Sequence, residues 1–152
     1  MISDKLESAR EPAVALGTAI QLINILRDAT PDVRLGRVYL PQDLLQKYGV
    51  CEDDIVSLQA SPEYCRVVQL VAERAAELLA TAEQGKRTLP GFLPVLMVQI
   101  IIELYREYLI KLENMGYNNL QPRPDGDDRV RIGTVQKLAA SWKALNTVLR
   151  GE

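Results

Sequence analysis

Apolar residues in this chain recur at intervals of three and four and almost nowhere alternate, which is the signature of amphipathic helices rather than strands. The clearest case follows Pro62, where Val67, Leu70, Val71, Ala75, Leu78, Leu79 and Ala82 fall at helical spacing. That pattern predicts a helix over residues 62–84, with Gly85 as its C-terminal cap. A second long helix is expected over 95–115, ended by Gly116 and preceded by a break at TLPGFLP. A last one is expected over 134–149, with Leu138, Trp142, Leu145 and Leu149 on one stripe. Shorter helical turns are expected at 41–48, where Pro41 opens and Gly49 closes the segment, and at 52–58. Residues 118–128, NNLQPRPDGDD, read as a turn-rich loop whose acids are solvated, without the ligand pattern of an EF-hand. The reading is all-α, with no internal repeat and no linker, so residues 1–152 are expected to form a single domain.

The first strong helix, expected over 11–26 with Pro12 near its start, is different in kind. Ile20, Leu22, Ile23, Ile25 and Leu26 make it apolar nearly all the way round, so it is expected to be buried. At about 100° per residue, Gln21, Asn24, Asp28 and Asp32 fall within an arc of roughly 80°. A buried carboxylate is costly unless it is paired or bound to a metal, so this polar stripe calls for a cavity or a cation. Pro31 removes a backbone donor and crowds the Arg27 carbonyl, so a kink or helix end is expected there. Gly36 then opens a loop over 36–40.

Composition narrows the chemistry. With 152 residues, 47% of them hydrophobic and 25% charged, and a net charge of −2, the chain has a globular profile. An isoelectric point near 5.3 and no basic block exclude nucleic acid as a partner. The longest apolar run, 92–102, is interrupted by Pro94 and Gln99 and is too short to span a bilayer. Cys51 and Cys65 lack the spacing of a disulfide framework or a zinc site, so a reducing compartment is expected. The N-terminus reads as neither a secretory signal nor a transit peptide. Histidine is absent, which removes Ser-His-Asp and Cys-His catalysis and His-ligated zinc. Carboxylates, Tyr, Lys, Arg and a hard cation are what remain.

An aspartate pair one helical turn apart is, by itself, more often a solvated face than a site. Glu7/Glu11, Glu73/Glu77 and Glu103/Glu107 share the spacing. What sets Asp28/Asp32 apart is the apolar context, the polar residues upstream, and the GRVYLPQD that follows.

In the stretch LGTAIQLINILRDATPDVRLGRVYLPQDLLQKYGV, residues 16–50, the chain resembles the second aspartate-rich motif of the squalene and phytoene synthase family. LYREYLIKLENMGYNNL, residues 104–120, continues the likeness, which is nearest to the C-terminal half of a phytoene synthase. The resemblance implies an isoprenoid-synthase-type helical bundle around a central cavity. It implies Mg²⁺-dependent head-to-head condensation of two geranylgeranyl diphosphates to phytoene, with Mn²⁺ as an alternative ion. Asp28, Asp32 and Asn24 match the family's metal-binding positions. Gln21, Asn24, Arg27 and Arg37 match positions that contact the diphosphate, and Tyr39 and Tyr105 match active-site tyrosines. Arg27 points away from the stripe on an ideal helix and has a neighbouring acid as its alternative partner.

The chain departs from the family in two respects. It carries no second aspartate-rich motif, and Pro31 stands between the two aspartates. The expected partner is therefore a missing N-terminal half or a second copy of the chain, and an oligomer is expected. Lipid substrates imply peripheral membrane association in the cytoplasm or plastid stroma. The alternative function is a non-catalytic assembly or scaffold protein of the same family.

Overall fold

The computed structural model describes residues 2–122 and 128–151, with the side chains of 2–8 and 87 left out of account. Every regular element among these residues is helical: α1 (Ile2–Arg27), α2 (Ala29–Arg34), α3 (Gln42–Lys47), α4 (Glu52–Val56), α5 (Pro62–Gly85), α6 (Phe92–Asn114) and α7 (Thr134–Arg150), with one 3₁₀ turn at Lys86–Thr88. The protein is all-α. None of the described helices is long and apolar enough to cross a membrane.

Two compact units divide the chain, with boundaries inside α1, α5 and α6. The first comprises Met1–Gln21, Arg74–Glu107 and Ile132–Glu152. It buries chiefly small side chains, namely Ala15, Ala19, Ala75, Ala82, Ala140 and Ala144, around Leu79, Ile102 and Ile132. The second comprises Leu22–Glu73 and Tyr108–Arg131. Its core is larger in texture: Leu26, Val33, Leu40, Leu45, Ile55, Tyr64, Val67, Val68, Val71, Leu112, Leu120 and Val130 are all buried.

The predicted face of α5 is the buried one, since Val67, Val71, Ala75, Leu79 and Ala82 all lie inside. Gly85 is not its left-handed cap, however, because its φ of −72° is ordinary right-handed helix. Its lack of a side chain serves a close approach instead, as a Cβ there would collide with the ring of Pro12. Gly49 and Gly116, at φ 66° and 61°, do end helices in the left-handed region that favours glycine.

Two expectations about α1 are overturned. α1 starts at Ile2 rather than residue 11 and carries Pro12 in its interior, where proline deletes one backbone bond without stopping the helix. Nor is α1 buried all round. Among its described side chains only the stripe Ala15, Ala19, Ile23 and Leu26 is enclosed, while Val14 is 62% exposed and Gln21 is exposed. Periodicity marks an apolar face, but a neighbouring element must be present to cover it. The same holds for α7, where Ala140 and Ala144 are buried and Val135, Leu138, Trp142 and Leu149 face outward.

Candidate functional site

The aspartate pair sits on a bend that Pro31 creates. The amide of Asp28 donates to the Asn24 carbonyl at 2.9 Å, and that of Asp32 donates to the Asp28 carbonyl at 3.0 Å. One-turn spacing therefore survives on both sides of Asp28. Between them Pro31 has no N–H to offer the Arg27 carbonyl, which accepts the Val130 amide at 2.9 Å instead. Asp28, at φ −99° and ψ 10°, is the single residue that leaves the helix, so α1 ends and α2 begins around it.

A buried side chain braces the bend. Asn119 donates from Nδ2 to the Leu26 carbonyl at 2.8 Å, and its own carbonyl accepts Thr30 Oγ1 at 2.8 Å. Its Oδ1 accepts the Tyr64 hydroxyl, also at 2.8 Å. Burial pushes the Tyr64 hydroxyl well above its usual range, reinforced by the nearby Cys65 thiol and only partly offset by the bond to Asn119. The hydroxyl thus stays protonated and keeps donating. Thr30, Tyr64 and Asn119 are absent from the residues read as functional in the sequence, because an Asn in a turn-rich loop carries no signal of a partner about ninety residues away.

After α2 the chain folds back on Asp32. The amides of Leu35 and Arg37 donate to the Asp32 carbonyl at 3.0 and 2.9 Å, with Gly36 between them at φ 71°. This reversal brings Asp32, Arg37 and Tyr39 to the lining of one narrow cleft, floored by Val33, Ile55 and Tyr64. Arg37 and Tyr39 are exposed, and Asp32 is half-buried. The Asp32 carboxylate has no hydrogen-bond or ion-pair partner among the described residues.

Asp28 is in the opposite condition. Arg27 Nε and a terminal guanidinium nitrogen donate to its two oxygens at 2.9 and 2.6 Å, and Arg129 Nε lies 3.4 Å from one of them. Arg27 therefore pairs with the neighbouring acid, and its guanidinium also lies 5.9 Å from the ring centre of Tyr108. The loop acids read as solvated need correction too. Asp128 is buried and pairs with Arg34 at 2.9 Å, while Asp125 and Asp127 lie outside the described residues.

Asn24, Arg27, Asp28, Asp32, Arg37 and Tyr39 all belong to the second unit, whereas Gln21 and the half-buried Tyr105 belong to the first. Asn24, Asp28 and Asp32, the three residues matched to metal-binding positions, all lie in the second unit, with Asp28 already engaged by Arg27. Among the described residues no three acidic or cysteine side chains converge. Glu73 and Glu77 are exposed, and the side chain of Glu7 lies outside the described residues.

The first unit has a polar constellation of its own, unannounced by the sequence. Gln99, fully buried, accepts from Lys86 at 2.6 Å and donates to Glu83 and Glu103 at 3.0 Å each. Arg106 bridges the same two glutamates, and Lys143 Nζ lies 2.8 Å from Glu103. Glu83, Lys86, Glu103, Arg106 and Lys143 line a cleft of about 470 Å³. Burial alone would raise the Glu83 carboxyl, but hydrogen bonds from Arg106 and Gln99 and the charges of Arg106 and Lys86 hold it below the ordinary range.

The squalene/phytoene synthase family model matches residues 2–134. Phytoene synthase 1, chloroplastic, of Arabidopsis thaliana is 37% identical over 134 residues, covering 88% of this chain and 30% of that protein. Phytoene synthase 2, chloroplastic, of Solanum lycopersicum is 39% identical over 119 residues, covering 77% and 37%. Phytoene synthase 2, chloroplastic, of Zea mays is 39% identical over 134 residues, covering 87% and 31%. The chain spans about a third of the length of these curated relatives.

Proposed function

The chain belongs to the squalene/phytoene synthase family, and on that premise we propose that it carries one aspartate-rich arm of a prenyltransferase that joins two geranylgeranyl diphosphates head to head into phytoene. The observation that carries this reading is Asp32, a half-buried carboxylate without a partner among the described residues, set in a cleft with Arg37 and Tyr39. A carboxylate so placed is best satisfied by a cation. Asp28, Asp32 and Asn24 are the hard oxygen donors that suit Mg²⁺, with Mn²⁺ as substitute, and a Mg²⁺ site that keeps several waters needs few protein ligands. When bound, Mg²⁺ would offset the negative charge that builds on a departing diphosphate.

The other residues take roles suited to their chemistry. Arg37 offers a planar, permanently charged fork at the mouth of the cleft, suited to two oxygens of one diphosphate. Tyr39 places a ring and a hydroxyl over the same cleft, where it would shield the reacting carbon from water. Arg27 keeps Asp28 neutralised before a cation competes for that carboxylate, and then has its own charge to offer the diphosphate. Gln21 and Tyr105 join this scheme by their match to the family motif. The second aspartate-rich arm would come from another segment or another copy of the chain. Peripheral contact with a membrane would supply the lipid substrate.

A second reading, a non-catalytic assembly protein, is favoured by the pairing of Asp28 with Arg27 and its proximity to Arg129. Product assay separates the two. The purified chain is given geranylgeranyl diphosphate and Mg²⁺, alone and with the N-terminal half of a plant phytoene synthase. Phytoene formed in either mixture, and lost in Asp32→Asn, supports the enzyme. No product in any mixture favours the assembly role.

A further inference from the structure

We propose that Asn119 is a positioning residue for the aspartate pair, setting the angle of the bend that aims Asp28 and Asp32; this rests on the reading of that pair as a metal–diphosphate site. Pro31 has no N–H for the Arg27 carbonyl, so the turn between the two aspartates keeps the Asp32–Asp28 backbone bond but lacks its neighbour. The bend must then be held from outside the helix. Asn119 does so from both sides of Asp28, gripping Leu26 in the last turn of α1 and Thr30 in the first turn of α2. Its amide can sit only one way round, because the Leu26 carbonyl cannot donate and must face Nδ2. The Tyr64 hydroxyl secures the remaining oxygen from α5.

Asn119 is 2% exposed and Thr30 is fully buried, so water cannot replace these bonds cheaply. The four groups form one closed path, from α1 through Asn119 to α2 and α5. Ligands that must meet one cation within a few tenths of an ångström need this kind of support from behind. Asn119 acts on Asp28 and Asp32 through their chain neighbours, since its bonds go to Leu26, Thr30 and Tyr64 and to neither carboxylate.

Thr30→Val and Tyr64→Phe each remove one hydroxyl while keeping shape. Asn119→Asp removes the donor to Leu26 and turns a second acceptor toward it. Ser57→Ala, which deletes an exposed hydroxyl bonded to the Asp53 carbonyl, is the control. Each full-length variant is read in two ways, by exchange of the Asp32 amide without metal and by Mn²⁺ bound in the presence of inorganic diphosphate, using electron paramagnetic resonance. The expected result is native helicity, Asp32 exchange at least tenfold faster, and Mn²⁺ affinity at least tenfold weaker in the three bend variants, with Ser57→Ala unchanged. If wild type binds Mn²⁺ and the bend variants bind it equally well, Asn119 only stabilises the fold and the inference is overturned. If folded wild type binds no Mn²⁺ with diphosphate, the metal–diphosphate reading itself fails and the inference falls with it.

Discussion

The Val130 amide donates to the Arg27 carbonyl at 2.9 Å, making the bond that Pro31 withholds. One proline thus frees an acceptor that ties a distant segment to the foot of the aspartate helix. Asp128 and Arg129, the two residues before Val130, add ion pairs to Arg34 and Asp28.

Replacing Pro31 by Ala should restore an intrahelical donor that competes with Val130. We expect the Val130 amide to lose hydrogen-exchange protection by at least tenfold. Global stability should change by no more than about 1 kcal/mol, because one bond is exchanged for another. An unchanged Val130 amide would mean that Pro31 does not set the bend.

Gly85→Ala tests the approach of α5 to α1. In an open helix this change stabilises by up to about 1 kcal/mol. Here the added methyl meets the Pro12 ring, so a loss of roughly 1–3 kcal/mol in urea unfolding is expected. A neutral or stabilising result would contradict the close packing.

Within the charged constellation, Glu103 and Lys143 should differ in weight although they pair with each other. Glu103 is 3% exposed and serves Gln99, Arg106 and Lys143 at once. Glu103→Gln should cost roughly 2–4 kcal/mol, because the buried carboxylate is the shared acceptor of Gln99, Arg106 and Lys143. Lys143→Gln removes a largely exposed ammonium and should cost under about 1 kcal/mol. Equal losses in chemical denaturation would rule out this ordering.

Glu83 makes stability depend on pH with a definite sign. Its carboxyl lies below the ordinary range when folded, because bonds and charges from Arg106, Gln99 and Lys86 outweigh burial. Its contribution is therefore complete above the unfolded value near 4.3 and is lost as pH falls through the folded one. Urea midpoints should fall below about pH 4.5, and the fall should be shallower in Glu83→Gln. Parallel curves would place the effect elsewhere.

Helices were legible from the sequence because their signal is local. The face of α5 and the stop glycines at 49 and 116 follow from spacing and backbone preference alone. What covers a face is not local, so the stripe of Leu138, Trp142 and Leu149 turns out to face outward. The family resemblance singled out Asp32, Arg37 and Tyr39, which a tight reversal at Gly36 gathers into one cleft. Spacing could not find Asn119, Thr30 and Tyr64, whose roles arise only when the fold brings distant backbone groups together. Buried Glu103 looked like any helical acid, since one of its partners, Lys143, comes from α7.

The central claim is that Asp32 binds a prenyl diphosphate through a divalent cation. The most direct test is equilibrium binding of a non-hydrolysable geranylgeranyl thiodiphosphate to the full chain, with and without Mg²⁺, in wild type and Asp32→Asn. Binding that needs Mg²⁺ and weakens at least tenfold in Asp32→Asn is the expected result. Binding that ignores Mg²⁺ and is equal in both proteins would contradict the account.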